Sequence, residues 1–270
     1  MSKITKQENG QILLTTKDGA EFSYDHVIST IPLGVLHSSV DTSTLDFDLR
    51  KRMGIRLLNI EPCVKISLKF KTRWWQDPVK MNNKPIVGGQ TFTDMPIRRI
   101  VYPSYGLECS DATGSLLVSY TWGQDATRIG ARVSPKVPSQ KTNMNSISEI
   151  ELVQEVLDQL TQIHGRIVRQ EYMNEFFIMN WDSNPLSMGA FALFGPGQYN
   201  TFHRSMIKPE VDGYLHFAGD STSVYHGWIE GALNSAYRAV MEILVKENMG
   251  NRLKQLSKKW GKVEELRYFI

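Results

Sequence analysis

The sequence predicts an α/β protein in two parts: a partial doubly wound domain fronted by a β-meander, and a mixed-sheet domain of α+β character. Three observations predict it. Near the carboxyl end, residues 214–218 read as an apolar strand that enters the small-residue turn GDSTSVYHG; Ile229, Ala232, Leu233, Ala236, Val240, Ile243 and Leu244 then recur at helical spacing. A strand, a glycine turn and a helix in that order form half of the arrangement by which α/β proteins cradle a nucleotide. The other half is missing, because no G-x-G-x-x-G follows a strand, and Gly88-Gly89 and Gly195-Pro196-Gly197 lack both spacing and context. At the amino end, short apolar runs broken by Asn9-Gly10 and Asp18-Gly19 read as hairpins, since those pairs supply the backbone angles of tight turns.

The elements follow in order. Strands are expected over residues 3–8, 11–16 and from Phe22 into 27–31, ending at Pro32. A short helix over 44–53 would be closed by Gly54, and VKISLKF (64–70) alternates as a half-buried strand does before Trp74, Trp75 and a Pro/Asn loop. Strands over 98–102 and 115–120 flank a polar loop holding Cys109, and 128–145 turns polar and proline-bearing. Ser148 with Glu151 offers a capping box. The helix behind it would present Ile150, Val153, Leu157, Leu160 and His164 on one face and stop at Gly165. Aromatic-rich strands and turns fill 172–199. Six basic residues between Arg252 and Arg267 oppose Glu264 and Glu265, and Leu253, Leu256, Trp260, Val263 and Leu266 give that tail one apolar stripe, as in a solvated terminal helix.

Composition narrows the classes. With 270 residues, 41% hydrophobic, 22% charged and 10% aromatic, the chain has the balance of a globular protein and not of a disordered or fibrous one. A formal charge of +3, from 31 basic and 28 acidic residues, predicts no nucleic-acid surface. No stretch is long and apolar enough for a membrane span, and residues 1–10 lack the apolar core of a signal peptide. Two cysteines offer neither a disulfide framework nor a metal quartet, six histidines are scattered, and no G-x-S-x-G elbow, P-loop or paired-carboxylate arrangement competes; no metal is expected.

Four blocks then carry a specific likeness: DHVISTIPLGVL (25–36), VKISLKFKTRWW (64–75), GGQTFTDMPIRRIVYPS joined to LLVSYTWGQDA (88–126), and HFAGDSTSVYHGWIEGALNSAYRAV (216–240). The sequence resembles the carboxyl-terminal portion of a flavin-dependent amine oxidase, with the L-amino-acid oxidases nearest. The last block is the most specific.

The resemblance implies FAD as cofactor, a small amino acid or amine as substrate and molecular oxygen as co-substrate, and it admits a homo-oligomer. It implies that the α-hydrogen leaves as hydride to the flavin, that the imino acid is hydrolysed to a 2-oxo acid and ammonia, and that oxygen is reduced to hydrogen peroxide. Residues 1–40 and 211–245 would belong to a partial FAD-binding domain, 41–210 to a substrate-binding domain and 246–270 to a helical tail. Pro32, Gly219, Asp220, Trp228 and Ile229 would bind the cofactor, Asp220 by accepting hydrogen bonds from the ribityl chain. Lys65 would be the catalytic residue, holding a water beside the flavin. Read from the residues alone, Lys65 could equally lie on a wet sheet face while Val64 and Ile66 point inward, because burying an unpaired ammonium is costly.

By the same likeness Tyr120 would bind the substrate carboxylate, and Gly227-Trp228 would lie at its amino group; core packing is the competing role of both aromatics. Trp122 and Trp181 are further candidates for pocket walls. His226 is expected to pack or hydrogen-bond near the cofactor rather than act as a base. The carboxylate-pairing arginine of these oxidases belongs to the absent half, so neither Arg98 nor Arg99 is assigned that role. A monoamine or polyamine oxidase, or a non-catalytic remnant, are the alternatives. The absence of an N-x-S/T sequon and the two cysteines lean toward an intracellular protein.

Overall fold

A computed structural model describes residues 1–108, 113–135 and 146–268. In chain order it contains β1 (Lys3–Lys6), β2 (Ile12–Thr15), β3 (Glu21–Tyr24), β4 (Val27–Ser29), α1 (Leu33–Ser39), α2 (Leu49–Leu57), β5 (Ile60–Glu61), β6 (Cys63–Phe70), β7 (Gln90–Phe92), β8 (Arg99–Val101), β9 (Gly114–Trp122) and α3 (Gly123–Gly130). Then follow α4 (Ile147–His164), α5 (Ile167–Glu171), β10 (Tyr172–Asn180), β11 (Phe191–Ala192), α6 (Gln198–Ile207), β12 (Leu215–Phe217), α7 (Ile229–Lys246) and α8 (Gly250–Trp260). Two compact units result, Met1–Glu61 with Leu186–Ile270, and Pro62–Pro185.

In the first unit, β1, β2 and β3 form the expected antiparallel meander. β4 and β12 lie side by side as a parallel pair, with Val27 opposite Leu215 and Ser29 opposite Phe217. Their core gathers Leu33, Leu36, Phe47, Phe202, Met206, Leu215 and Phe217. The unit boundaries fall at 61/62 and 185/186 instead of 40/41 and 210/211, because α2 and α6 pack on one another and share that core. Gly54 does not end α2. It lies within the helix, where a Cβ would come 2.7 Å from Met206 Sδ of α6, so the glycine serves close packing.

α7 departs from its sequence pattern. Gly231, Ser235, Tyr237, Arg238, Ala239 and Glu242 face inward, while Ile229 is 81% and Leu233 63% exposed. The inward polar residues find partners: Arg238 pairs with Glu242 and donates to the carbonyls of Ile207 (3.2 Å) and Phe217, and Glu242 accepts from His216 Nδ1 at 2.7 Å. Charge can be buried at that density of hydrogen bonds, and the helix turns its apolar stripe outward.

The second unit is built on a five-stranded sheet in the order β10-β6-β9-β8-β7. The expected mixed character is divided between the units: every pairing in this sheet is antiparallel, and the parallel pair is β4 with β12. α4 covers one face, joining Leu152, Val153, Leu157 and Leu160 to Ile66, Leu68, Leu116 and Val118. Its capping box is Ser146 with Glu149, not Ser148 with Glu151; S-I-S-E-I-E carries both frames, and the earlier one is closed by bonds of 3.2 and 2.9 Å. Starting there buries Leu152 and Val156 and leaves Ile150 exposed. Gly165 ends α4 as expected. Trp74 and Trp75 are fully buried, and Cys63 is buried at the start of β6. Cys109 and residues 136–145 lie outside the described residues.

Candidate active-site elements

In the first unit, β4 and β12 run parallel, so the segments leaving them emerge at the same end of the pair. Pro32 follows β4 as the N-cap of α1, and Gly219-Asp220 follow β12. Ligands of open α/β sheets bind beyond the carboxyl ends of parallel strands. Gly219 has φ 117°, which a side chain would strain, and its N–H donates to Ser235 Oγ of α7 at 2.8 Å.

Asp220 carries a structural duty that motif reading missed. Its Oδ2 accepts from Ala192 N–H at 2.5 Å and its Oδ1 from Gly227 N–H at 2.6 Å, so one carboxylate ties β11 to the turn before α7. Each oxygen keeps a second lone pair. Gly227 has φ 76° and meets the Phe191 ring, where a Cβ would come 3.4 Å from it. Trp228 is the N-cap residue of α7, is 73% exposed, and among the described residues no side chain caps the helix there. The first N–H groups of an 18-residue helix therefore present a positive end that an electron-rich ligand can meet. His226 packs its ring on Phe194, with centroids 4.1 Å apart, and its Nε2 is buried without a hydrogen-bond partner among the described residues. Burial pushes its pKa below the ordinary histidine value although Asp220 pulls the other way, which favours the neutral imidazole.

In the second unit, the sheet face turned away from α4 carries Lys65, Tyr120, Trp122 and Arg99. Lys65 on β6 is the cross-strand partner of Tyr120 on β9, and its Nζ lies 4.8 Å from the centroid of the tyrosine ring. A register irregularity makes this possible. Ile66 pairs with Ser119 but Ser67 pairs with Leu117, so Val118 is an extra residue, and Val118 and Ser119 are both buried in succession. Strict alternation from Leu116 and Val118 would send Tyr120 into the core. The bulge turns it to the face of Lys65. Trp122 opposes Cys63, whose carbonyl accepts from Trp181 N–H at 3.0 Å, so both tryptophans flank the same end of β6.

Arg98 and Arg99, adjacent in sequence, part company. Arg98 holds Asp125 through bonds of 2.7 and 3.4 Å. Arg99 places its guanidinium carbon 4.9 Å from the Phe92 ring, 5.3 Å from Tyr120 and 4.9 Å from Trp122.

The glycine that lets a ligand approach, the lone pairs left on Asp220, the exposed Trp228 and the uncapped helix end fit a flavin cofactor. Among the described residues no group of three His, Cys, Asp or Glu could hold a metal ion, and no helix is long and apolar enough to cross a membrane.

Comparison with known proteins agrees. A family model described as flavin containing amine oxidoreductase matches residues 1–244. L-amino-acid oxidase 4 of Hebeloma cylindrosporum is 37% identical over 259 residues, covering 94% of this chain and 40% of that protein. An L-amino-acid oxidase of Siganus canaliculatus is 34% identical over 203 residues, 74% of this chain and 34% of that protein. Cyclohexylamine oxidase from Brevibacterium oxydans superposes with a TM-score of 0.67 at 15% identity over 92% of this chain and 48% of its own, a likeness of fold. The chain thus spans less than half the length of these relatives.

Proposed function

Since this chain belongs to the flavin-containing amine oxidoreductases and lies close to their L-amino-acid oxidases, we propose that it forms the carboxyl-terminal part of an FAD-dependent L-amino-acid oxidase. The overall reaction joins an L-amino acid, oxygen and water to give a 2-oxo acid, ammonia and hydrogen peroxide. FAD, when bound, supplies the two-electron acceptor for the substrate C–H bond and the centre at which oxygen is reduced.

The chain's own residues divide the remaining work. Pro32, Gly219, Asp220 and Ile229 hold the cofactor, and the positive end of α7 favours the negative charge that reduction creates. Lys65 orients a water through its ammonium. Tyr120 donates its hydroxyl to the substrate carboxylate, and Gly227 and Trp228 border the amine, Trp228 as an apolar wall that keeps water out. The neutral His226 packs beside this turn and moves no proton.

One observation supports this reading: Lys65 and Tyr120 stand side by side on the sheet face turned away from α4, brought together by the bulge at Val118. The family, described as flavin containing amine oxidoreductase, also admits a second reading, an amine oxidase with no carboxylate to bind. Peroxide release by the complete enzyme from an L-amino acid and from its decarboxylated amine separates the two. The oxidase reading requires turnover of the acid and slowed flavin reduction or reoxidation in Lys65→Met with FAD still bound; normal rates in both half-reactions remove Lys65 from the mechanism.

A further inference from the structure

The proposed reaction leaves one cation on this sheet face without a task. Lys65 is on β6, Tyr120 on β9 and Arg99 on β8, so Lys65 and Arg99 flank the tyrosine from neighbouring strands, roughly 10 Å apart at two strand spacings. Neither pairs with a carboxylate among the described residues, whereas Arg98 is fully engaged by Asp125. An arginine surrounded by aromatic faces is stabilised through its π-system while its in-plane N–H donors remain available, and that planar fork matches a carboxylate. Phe92, Tyr120 and Trp122 surround Arg99 in this way. A substrate whose α-carboxylate rests on the Tyr120 hydroxyl would carry its side chain along the same face.

We propose that Arg99 binds the side-chain carboxylate of the substrate, which makes the preferred substrates dicarboxylic L-amino acids. The proposal rests on the oxidase reading only for the α-amino end of the substrate; the carboxylate site itself belongs to this chain. Loss of a bidentate, charge-assisted contact lowers binding roughly 10- to 100-fold.

Two measurements test it. Calorimetric titration of the 270-residue chain with glutarate, a dicarboxylate without an amine, should show binding that is lost in Arg99→Gln, partly restored in Arg99→Lys and weaker for pentanoate; circular dichroism confirms that the variants fold. Equal glutarate affinity in wild type and Arg99→Gln, or no preference over pentanoate, overturns the site. In the complete enzyme, Arg99→Gln should reduce kcat/KM for L-glutamate at least about 10-fold more than for L-glutamine, and equal losses for both overturn the assignment. An enzyme that binds glutarate through Arg99 yet oxidises no L-amino acid would defeat the oxidase reading and leave the carboxylate site standing.

Discussion

Adding a single methyl group at Gly231 probes whether the turn carrying Asp220, Gly227 and Trp228 is held against α7. A Cβ at this position would lie 2.1 Å from Ser223 Oγ and 2.2 Å from the main-chain oxygen of Tyr225. The serine hydroxyl can rotate only by giving up its bond from Tyr225 N–H at 2.8 Å, and the carbonyl cannot rotate at all. The first turn of α7 and the 223–225 segment must therefore separate by roughly 1 Å to reach ordinary contact. Overpacking against main chain costs about 3 kcal/mol, and the helix preference of alanine over glycine returns about 1 kcal/mol. The net loss of about 2 kcal/mol corresponds to roughly 4–8 °C in Tm for a chain of this size. Gly250→Ala is the control, since nothing lies within 4 Å of its Cβ, and it should be neutral or slightly stabilising. Thermal unfolding followed by circular dichroism reads the stability, and flavin released on denaturing the complete enzyme reads cofactor retention. Gly231→Ala should lower both. A variant melting at or above wild type with its flavin intact would refute the packing argument.

Asp220→Ala should leave the N–H groups of Ala192 and Gly227 without their acceptor, costing about 1–3 kcal/mol in urea unfolding and weakening FAD retention; a fully loaded, equally stable variant contradicts both roles. Tyr120→Phe should raise KM for an L-amino acid roughly 10- to 100-fold and leave the corresponding amine unaffected, whereas matched kinetics on the acid return Tyr120 to a packing role. His164, partly buried beside Trp74 and hydrogen-bonded to Tyr102 at 2.7 Å, has its pKa lowered by desolvation to about 4 from 6.5. The unfolded chain therefore binds a proton between those values that the folded chain refuses. Stability should fall by about 3 kcal/mol from this group as pH drops from 6.5 to 4 and level off below. In His164→Gln that share of the slope should vanish, and an unchanged slope in urea titrations would show that His164 is not the group responsible.

Much of the organisation was legible as local pattern. Asn9-Gly10, Asp18-Gly19 and the apolar runs around them specify the meander because turn angles and alternation are properties of neighbouring residues. Gly165 stopping α4, the strand under VKISLKF and the helix after GDSTSVYHG were readable for the same reason. Local pattern is ambiguous where one signal has two solutions. S-I-S-E-I-E contains two capping frames, and the choice between them depends on which leucines meet the sheet. Gly54 reads as a stop signal, and only the approach of Met206, some 150 residues later in the chain, makes it a packing site. Helix α6 carries no local helical signal, because its first turn is aromatic and polar, and its buried residues Phe202 and Met206 join the core that α2 shares.

By itself the sequence determined the amino-terminal meander, the strand under VKISLKF, the end of α4, the family and the motif that turns β12 into α7, since all of these are written in short-range spacing and residue type. Only the tertiary structure decided which way the important side chains face. Whether Tyr120 joins the core or stands with Lys65 depends on one extra residue, Val118, in the pairing of β9 with β6, and register is a relation between strands that neither strand encodes alone. The outward apolar stripe of α7, and the difference between a paired Arg98 and an arginine ringed by three aromatic side chains, have the same origin: burial and partnership are set by what packs opposite, across distances along the chain that no local pattern spans.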